Sequence, residues 1–526
     1  MRILITGTIE QSGLDYLAQT DNVQFDIETN LSKDKLIALL PQYDAIIVRS
    51  STYVDADIIA AGTKLKVIGR AGIGVDNIDI RTATMNGIIV TNTPKANSIA
   101  RAEYAIGLML AVSRYIPQSH VSLKNGNWMR QPFTGVQLHR KVLGLIGFGY
   151  TARLLAKRAQ AFGMDVIAYA PVVSEEIGRE YSVTLVDLDD LLAQSDFISL
   201  HTALLPETKQ IINTDTIAQM KDGVFLINTA RGKLVDEAAL AEALRQGKVR
   251  GAGLDVYAQE PPQNNPLIGL PNVIHTPHLG DYTDKAQYNV STQIVKQVVD
   301  ALQETDFRNA VNLPYPPGAD FAQIRPYMAL GVKLGRLQAY LAAGPITQIN
   351  IDVHSEAEDD LIRPIAAGIL KGVLEKITNQ EVNFINAPLL AEEKGIAVSR
   401  VKGISQVDYP NLILCQAHWQ GGKRLLGGVL FAGGAPRIVQ IDEYQLEAKP
   451  EGCVIVMLNK DVPGVIGQVG TLLAAYEVNI GEWRMGRQQP GGVALSFINV
   501  DVEPPTAVID ALARITAVTD VKLVSL

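Results

Sequence analysis

Residues 142–171 constrain the fold of this chain more than any other stretch of its sequence. They read VLGLIGFGYTARLLAKRAQAFGMDVIAYAP. A short apolar run, typical of a buried parallel strand, leads directly into a glycine turn, then into apolar residues at helical spacing and a second apolar run. This order of strand, tight turn, helix and strand predicts a βαβ unit, which belongs to a parallel sheet.

The glycine turn has the spacing G-x-G-x-x-A. Gly147 would permit a sharp bend, Gly149 would let a pyrophosphate approach the backbone, and the small Ala152 would let the helix lie close to the strand. The N–H groups at the start of the helix would then bind the phosphates. The turn therefore predicts a dinucleotide site, with the members Gly147, Phe148, Gly149, Tyr150 and Thr151. The alternative is an ordinary strand-to-helix turn that binds nothing.

The choice of dinucleotide depends on the end of the second strand. The acidic residue that usually holds the adenine ribose hydroxyls stands about 20 residues after the turn, and Ala170 occupies that position here. No arginine stands directly beside Ala170 to bind a 2′-phosphate, and Glu175 and Glu176 follow soon after it. We therefore expect NAD as the cofactor, while acceptance of NADP stays open.

Composition narrows the class of protein. At 526 residues, with 47% apolar and 19% charged residues, the chain is long enough for roughly three or four soluble domains. The net charge of −8 argues against nucleic acid or an anionic membrane as a partner. The two cysteines and seven histidines show no metal-ligand spacing, so we expect no metal site. So few cysteines fit a reducing cytoplasm, and no apolar run reaches the length of a membrane span, about 18 residues.

Apolar runs along the first 311 residues predict two doubly wound α/β units. In the first unit we expect strands at 3–5, 45–48, 65–68 and 88–90, and helices at 36–40, 55–61 and 80–85. A long helix over 98–115 leads to the second unit, whose further strands lie at 197–200, 224–227, 253–256 and 273–275. A helix over 284–302 is expected to pack back on the first unit. The first domain is therefore discontinuous, covering 1–97 and 284–311, and the second covers 98–283.

The pattern changes after a Pro- and Gly-rich linker at 312–318. Residues 319–450 predict an α+β domain, with helices at 327–341 and 359–377, the latter interrupted near Pro364, and strands at 348–353, 412–415, 425–430 and 438–441. Residues 452–526 follow the order βαββαβ, which is the ferredoxin-like pattern.

Three segments that follow predicted strands of the second unit carry Arg231, Glu260 and His278. Ligands of an open α/β sheet gather outside the carboxyl ends of its strands. Arg231 has the bidentate fork that holds a carboxylate and a carbonyl, and His278 exchanges protons near neutral pH. Glu260 would steady the imidazolium. Together they predict hydride chemistry on a 2-hydroxy acid, although His278 taken alone would be read as a surface histidine after a proline.

The chain resembles the D-isomer-specific 2-hydroxyacid dehydrogenase family over its whole length. Beside the glycine turn, the resemblance rests on the motifs VRSSTYV, VIGRAGIGVDNID, NTPKANS, NGNWMRQPFTG, INTARGKLVDEAAL, GLDVYAQEPP and TPHLG. It implies two Rossmann-like domains and the catalytic residues Arg231, Glu260 and His278. It also implies oxidation of a D-2-hydroxy acid, foremost 3-phospho-D-glycerate to 3-phosphohydroxypyruvate, which is the first step of L-serine biosynthesis.

The same resemblance implies the remaining residues of the site. Asp255 is expected near the nicotinamide amide. The further cofactor positions are Ala170, Thr229, Ala230 and Gly280. The loop of Arg70, Ala71, Gly72, Ile73 and Gly74 is expected to bind the substrate carboxylate, and the phosphate ligands are expected to be Arg49, Arg70 and Arg130. Arg130 would come from a neighbouring subunit of a homodimer or homotetramer. For Arg49 and Arg130 the alternative is a solvated face or an ion pair.

Departures from the family pattern concentrate at the cofactor groove and the substrate mouth. The family usually has Arg-Ile in place of Tyr150-Thr151, Asp in place of Ala170, and Ala-Ser-Thr in place of Asp281-Tyr282-Thr283. The reaction class is therefore better determined than the substrate. The alternatives are a related phosphonate or another 2-hydroxy acid, or an amino acid-binding sensor with a degenerate catalytic half.

The C-terminal segment resembles an ACT regulatory module, and the α+β segment before it resembles the intervening domain of longer family members. In such modules a turn and an asparagine bind L-serine between paired domains. The resemblance implies an effector site that contains Asn459, Asp461 and Asn479. The alternative is a domain that only pairs subunits.

Overall fold

The computed structural model describes residues 1–314, 320–354, 358–404 and 409–526. Most of the linker predicted at 312–318 lies outside these residues. Within the described ranges the strands form sheets of five, seven, six and four strands. None of the helices in these ranges is both long enough and apolar enough to cross a membrane.

The first sheet is parallel, in the order β2-β1-β3-β4-β5. Its elements are β1 (Arg2–Ile5), α1 (Gln11–Gln19), β2 (Gln24–Ile27), α2 (Lys33–Leu39), β3 (Ala45–Val48), α3 (Ala56–Ala61), β4 (Val67–Arg70), α4 (Ile80–Met85) and β5 (Ile89–Asn92). The prediction missed α1 and β2, because β2 is a half-exposed edge strand without an apolar run. The strand predicted at 65–68 begins two residues too early, since β4 starts at Val67 and ends with the buried Arg70.

The second sheet is parallel as well, in the order β12-β11-β10-β9-β6-β7-β8. Its elements are α5 (Ser98–Ser113), α6 (Ile116–Lys124), β6 (Val142–Ile146), α7 (Tyr150–Ala161), β7 (Asp165–Tyr169), α8 (Glu175–Glu180), β8 (Thr184–Leu185), α9 (Leu188–Gln194), β9 (Phe197–Leu200), α10 (Thr214–Gln219), β10 (Val224–Asn228), α11 (Glu237–Gln246), β11 (Val249–Leu254), β12 (Val273–His275) and α12 (Asp284–Leu302). The strand predicted at 253–256 is corrected: β11 ends at Leu254, and Asp255 begins the loop after it.

Each parallel sheet has a switch point, where neighbouring strands are followed by connections that leave in opposite directions. It falls between β1 and β3 in the first sheet and between β6 and β9 in the second. Ligands of open α/β sheets bind in the crevice at such points. Arg49 follows β3 and the glycine turn follows β6, so both stand beside a crevice.

Helix α12 packs back on the first sheet, as predicted. Val290, Ile294 and Val298 are fully buried in the core that contains Ile3 and Ile5. Burying each of these side chains contributes about 1.5–3 kcal/mol.

The third sheet is mixed, in the order β14-β13-β15-β16-β17-β18, with β14 parallel to β13 and the other pairs antiparallel. Its elements are α13 (Phe321–Leu341), β13 (Ile346–His354), α14 (Glu358–Ile377), α15 (Ala387–Glu393), β14 (Ala397–Arg400), β15 (Leu412–Trp419), β16 (Gly422–Leu430), β17 (Pro436–Ile441) and β18 (Tyr444–Ala448). The interruption predicted near Pro364 is wrong, because α14 continues through that residue. Its apolar face is buried on both sides of Pro364, at Leu361 and Ile365.

The last sheet is antiparallel, in the order β20-β21-β19-β22. Its elements are β19 (Cys453–Lys460), α16 (Val465–Ala475), β20 (Ile480–Arg487), β21 (Val493–Val500), α17 (Thr506–Ala513) and β22 (Val518–Ser525). Order and pairing match the predicted ferredoxin-like pattern. One face of the sheet, with Val454, Val456 and Phe497, shares a core with α13 of the preceding domain.

Candidate active site

Gly147 makes the turn after β6 and cannot be another residue without strain. Its φ of +93° lies in the region that favours glycine. A Cβ at this position would lie 2.7 Å from backbone atoms of His201 and Thr202. The Gly147 N–H donates to the Tyr169 carbonyl at 2.9 Å, which ties the turn to the end of β7. The turn is thus fixed at the switch point between β6 and β9.

Gly149 is a glycine for which the protein alone shows no need. It precedes α7 with φ −71° and ψ −177°, which any residue adopts. A Cβ built on it would meet no atom within 4 Å, so the space beside its backbone is open. A pyrophosphate approaching the start of α7 would need that space. Ala152, by contrast, is fully buried in the core beneath the turn.

Tyr150 and Ala170 are two of the predicted cofactor positions that depart from the family pattern. The Tyr150 ring is 41% exposed and lies 5.5 Å from Nζ of Lys95, a residue of the first domain. Ala170 is half-buried at the end of β7, and its carbonyl accepts from the Val173 N–H. Glu175 is exposed on α8. A methyl group therefore occupies the position where the family usually has a ribose-binding Asp, and the choice between NAD and NADP rests on other contacts.

The structure brings Glu260 and His278 into direct contact. Nδ1 of His278 lies 2.8 Å from Oε2 of Glu260, and Oε1 of Glu260 accepts from the Tyr257 N–H at 3.0 Å. Burial works to raise the pKa of Glu260, but the hydrogen bond and the charge of His278 outweigh it and hold that pKa below its usual value. Glu260 therefore stays ionised and fixes the orientation of the imidazole.

Asp255 holds the loop that carries His278. Its fully buried carboxylate accepts from the N–H groups of Leu279 and Gly280, at 2.8 and 2.9 Å, and from the Thr276 hydroxyl at 2.7 Å. The Asp255 carbonyl accepts from the His278 N–H at 2.9 Å. His278 itself has φ +57°, a conformation that costs a side chain about 1–3 kcal/mol and that the Asp255 bonds maintain. Burial raises the pKa of Asp255 despite its three donors.

Arg231 crosses from the second domain to the first. Its Nε and Nη2 both donate to Oδ1 of Asp76, at 2.9 and 2.8 Å, and Nη1 donates to the Ala230 carbonyl. A Cβ at Gly74 would lie 1.4 Å from Nη2, so only glycine leaves room for the guanidinium in this position. Burial opposes ionisation of Asp76, yet the charge of Arg231 brings its pKa below the usual value. Asp76 thus occupies the donors that a substrate carboxylate would use.

The segment before Arg231 holds the predicted cofactor positions Thr229 and Ala230, which are both buried. Asn228 shapes it, since its side chain accepts from the Ala230 N–H at 3.0 Å and donates to the Arg231 carbonyl at 2.9 Å. His201 follows β9, the strand between β10 and β6, and its backbone lies beside the glycine turn. Burial and the charge of Arg101 lower the pKa of His201 to about 4, so its ring is neutral near pH 7.

Arg70 ends β4 and is 6% exposed. Its Nη1 donates to the Ala71 carbonyl at 3.0 Å, and a Cβ at Gly72 would lie 1.5 Å from that nitrogen. Burial, then the positive charges of Arg231 and Arg101, lower the pKa of Arg70 to about 9. Among the described residues its Nε has no hydrogen-bond partner. This buried cation has a donor without an acceptor, a setting that an anion placed beside it would relieve.

Arg49 and Arg130, the other predicted phosphate ligands, differ in position. Arg49 follows β3, donates to Oε1 of Gln287 at 2.8 Å and to the Thr8 carbonyl at 3.0 Å, and has its pKa lowered by burial. Arg130 lies on the exposed loop after α6, with its guanidinium 5.7 Å from the Trp128 ring. Arg130 forms no ion pair within the described parts of the chain.

Comparison with known proteins decides the family. Residues 106–280 match the model of the D-isomer specific 2-hydroxyacid dehydrogenase NAD binding domain, and residues 323–442 match that of the D-3-phosphoglycerate dehydrogenase intervening domain. A D-3-phosphoglycerate dehydrogenase of Archaeoglobus fulgidus is 40% identical, with 100% of both chains covered. The chain belongs to the D-isomer specific 2-hydroxyacid dehydrogenase family.

Two further relatives extend this result. A D-3-phosphoglycerate dehydrogenase of Synechocystis is 38% identical over 100% of this chain and 95% of its own. The D-lactate dehydrogenase of Aquifex aeolicus, solved with NAD and lactic acid, is 30% identical with a TM-score of 0.54, and the match covers 58% of this chain and 96% of that one. This family member is therefore an oxidoreductase with an NAD binding domain, as the sequence predicted.

The sequence interpretation missed Arg101 of this dehydrogenase, and it assigned no role to Asp281 or Asn97. Nη2 of Arg101 lies 3.5 Å from Oδ2 of Asp281, which also accepts from Nδ2 of Asn97 at 2.6 Å. A signal existed, because Arg101 stands on the apolar, buried stripe of α5, in line with Ala105 and Met109. Only the fold reveals its partner, which is 180 residues away in the sequence.

The structure does not bring the three predicted effector residues together within one chain. Asn459 is buried and accepts from the Ser496 hydroxyl, and Asp461 accepts from Nη1 of Arg487 at 2.9 Å. Asn479 donates to Asp501 at 2.6 Å. Because Cys453 and Ile480 both pair with Val500, while Asn459 pairs with Ala494, Asn459 and Asn479 lie at opposite ends of the sheet, about 20 Å apart.

Proposed function

We propose that this dehydrogenase transfers a hydride between NAD and 3-phospho-D-glycerate, giving 3-phosphohydroxypyruvate in the first step of L-serine biosynthesis. The observation that carries the proposal is the pairing of His278 with Glu260, together with Arg49 and Arg70 at the carboxyl ends of neighbouring strands of the first sheet. Relatives that match over their full length and bear the name D-3-phosphoglycerate dehydrogenase support this substrate.

In the proposed reaction the 2-hydroxy acid lies between the two domains. Arg231 would exchange Asp76 for the substrate carboxylate and polarise the carbonyl at carbon 2, helped by the N–H groups of Gly72 and Gly74. His278 would take the hydroxyl proton during oxidation and return it during reduction, while Glu260 stabilises the imidazolium. Bound NAD would supply the hydride acceptor, with its pyrophosphate on the Gly147–Gly149 turn.

The phosphate of the substrate would bind at Arg49 and Arg70. A phosphate monoester carries roughly −1.5 to −2 charge at pH 7. The unpartnered Nε of Arg70 and the lowered pKa of both arginines support an anion at this place, because the anion would restore the charge balance that burial disturbs.

Arg130 would complete the phosphate site from a second subunit. The helix α6 and the loop after it support a subunit contact, because they expose large apolar side chains that include Leu123, Trp128 and Met129. We propose a homodimer or a homotetramer of such pairs. Light scattering should show weaker assembly for Trp128→Ser and an intact oligomer for Arg130→Ala. In steady-state assays, Arg130→Ala should show a raised KM for the phosphorylated substrate.

We propose that the C-terminal domain, with its ferredoxin-like order of strands, is an ACT module that binds L-serine between two copies. Antiparallel pairing of two β20 edge strands would bring Asn479 of one copy to the level of Asn459 and Asp461 of the other. If so, L-serine should raise the melting temperature of the wild type but not that of Asp461→Ala or Asn479→Ala. A shift that survives both substitutions would place the effector elsewhere.

The remaining assignments are also proposals. We divide the chain into 1–97 with 284–311, 98–283, 319–450 and 452–526, and the separate sheets support this division. We propose the cytoplasm as its location, which is supported by the free thiols of Cys415 and Cys453.

The experiment that tests the main proposal follows NADH absorbance in the presence of 3-phosphohydroxypyruvate. Parallel reactions contain NADPH in place of NADH, and hydroxypyruvate in place of the phosphorylated substrate. We expect turnover that is faster with NADH and with the phosphorylated substrate. Turnover with another 2-oxo acid but not with this one would contradict the substrate, and no turnover with any of them would contradict the reaction.

A further inference from the structure

Arg101 is a buried cation whose donors are mostly unused. It lies on α5 with its side chain 10% exposed, and its neighbours on the helix, Ala102 and Ala105, are fully buried. Its Nε has no hydrogen-bond partner among the residues that the structure describes. A guanidinium carries five N–H donors and is costly to bury without acceptors. The setting therefore calls for a further acceptor at Arg101.

Asp281 does not fill that need by itself. Its Oδ2 lies 3.5 Å from Nη2 of Arg101, which is longer than a normal hydrogen bond, and the same oxygen is 2.6 Å from Nδ2 of Asn97. Asp281 is 8% exposed, so the pair is shielded from water. Asp281 and Asn97 thus hold Arg101 in position while they leave most of its donors free.

Arg101 stands between the proton-exchanging loop and the arginines of the first domain. Its Cγ lies 3.6 Å from the point that a Cβ on Gly280 would occupy, next to the loop of His278. It is close enough to Arg231 and Arg70 for their charges to act on one another. Asp281 in turn interacts with His278 and Arg49. Arg101 therefore adjoins both the loop of His278 and the arginines of the first domain.

We infer that Arg101, held by Asp281 and Asn97, is a specificity-determining residue that binds the second anionic group of the substrate beside Arg70. The ligand class is a 2-oxo or 2-hydroxy acid that carries a further anion, such as a phosphate, a phosphonate or a carboxylate. The inference rests on the proposed function, because it assigns part of the same site, but it concerns the second anion and not the reaction. Selection arises because an uncharged substrate would leave the buried donors of Arg101 unpaired.

The test compares KM and kcat for wild type, Arg101→Met and Arg101→Lys, with NADH and either 3-phosphohydroxypyruvate or hydroxypyruvate. For Arg101→Met we expect KM for the phosphorylated substrate to rise about 10- to 100-fold, the scale of one charge-assisted hydrogen bond. KM for hydroxypyruvate should change less than about threefold, and Arg101→Lys should recover part of the loss. An equal rise in KM for both substrates, or no change for either, would overturn the inference.

Two further measurements separate a binding role from a structural one. The double variant Arg101→Met/Asp281→Asn removes both charges of the 3.5 Å pair and keeps an amide oxygen for Asn97, so it should remain folded and lose the preference for the phosphorylated substrate. A preference that survives in this variant would overturn the inference. The control Arg336→Met breaks the ion pair with Glu375 in the third domain, 2.8 Å long, and should leave both KM values unchanged.

The same measurements distinguish this inference from the proposed function. If the wild type ignores 3-phosphohydroxypyruvate but reduces oxaloacetate or 3-phosphonopyruvate, the proposed substrate is wrong, and the Arg101 variants are compared on that substrate. A selective KM increase there supports the inference, and a uniform one contradicts it.

Discussion

Gly149 and Gly147 provide a matched pair of substitutions that tests whether the turn after β6 serves a cofactor. At Gly149 the backbone angles suit alanine, and the added Cβ meets no atom within 4 Å. Alanine is a poorer residue than glycine at a helix N-cap, by roughly 0.5–1 kcal/mol, but it stabilises by about 0.4–1 kcal/mol through the unfolded chain. The two effects offset, so Gly149→Ala should change the free energy of unfolding by less than about 1 kcal/mol.

The same Cβ would stand where a pyrophosphate must approach the backbone. We therefore expect Gly149→Ala to weaken NADH binding by at least about tenfold, which corresponds to about 1.4 kcal/mol. For Gly147→Ala, by contrast, we expect the main effect to be a loss of stability. Its φ of +93° and its 2.7 Å contacts with the backbone of His201 and Thr202 predict a loss of stability of about 2–4 kcal/mol, since both backbone strain and overpacking contribute.

The assay combines urea unfolding, followed by circular dichroism, with titration of NADH by its fluorescence. Wild-type NADH affinity in a normally stable Gly149→Ala variant would refute the assignment of this glycine to the cofactor. A Gly147→Ala variant as stable as the wild type would refute the account of the turn itself. A reduced affinity that comes with reduced stability in Gly149→Ala would also count against it, because the predicted effect is on binding alone.

The remaining predictions concern the proposed catalytic residues and Gly74 beside them. His278→Ala should lower kcat by about 10²–10⁴-fold in steady-state assays while NADH still binds, because general acid–base catalysis is worth that much. Gly74→Ala should raise KM for the 2-oxo acid without changing NADH affinity, because the new Cβ would lie 1.4 Å from Nη2 of Arg231. The pKa of Glu260 is lowered in the folded protein, so its ionised form stabilises the fold above its ordinary pKa and that contribution is lost as the pH falls through the lower, folded value. Glu260→Gln should therefore reduce the dependence of the unfolding free energy on pH in the acid range, as measured by urea unfolding from neutral pH to about pH 3. An unchanged pH dependence would contradict this, as would full activity of His278→Ala or an unchanged KM of Gly74→Ala.

The sequence predicted the parallel sheets because their buried strands are continuous apolar runs bounded by turn residues. It could not predict β2, whose residues are half-exposed. Nor could it predict the bounds of β4, because the apolar run begins before this strand and the strand ends with a charged residue, Arg70. The order of strands, and with it the switch points, depends on packing between segments far apart in the chain.

The candidate site divides in the same way. Glu260 and His278 could be named because each follows a strand, and the structure joins them at 2.8 Å. The roles of Asp76 and Asp281 could not be predicted, because each contacts an arginine that lies 155 or 180 residues away. Nor does local sequence show that Asn459 and Asn479 stand at opposite ends of their sheet, since strand pairing decides this.

The central claim is that hydride moves between a nicotinamide and the carbon beside a carboxylate, next to His278. The most direct measurement supplies NADH that carries deuterium at the transferred position of the nicotinamide, together with 3-phosphohydroxypyruvate, and locates the isotope in the product by NMR. We expect one deuterium at carbon 2 of 3-phospho-D-glycerate. A product without deuterium at that carbon, or of the opposite configuration, would contradict it.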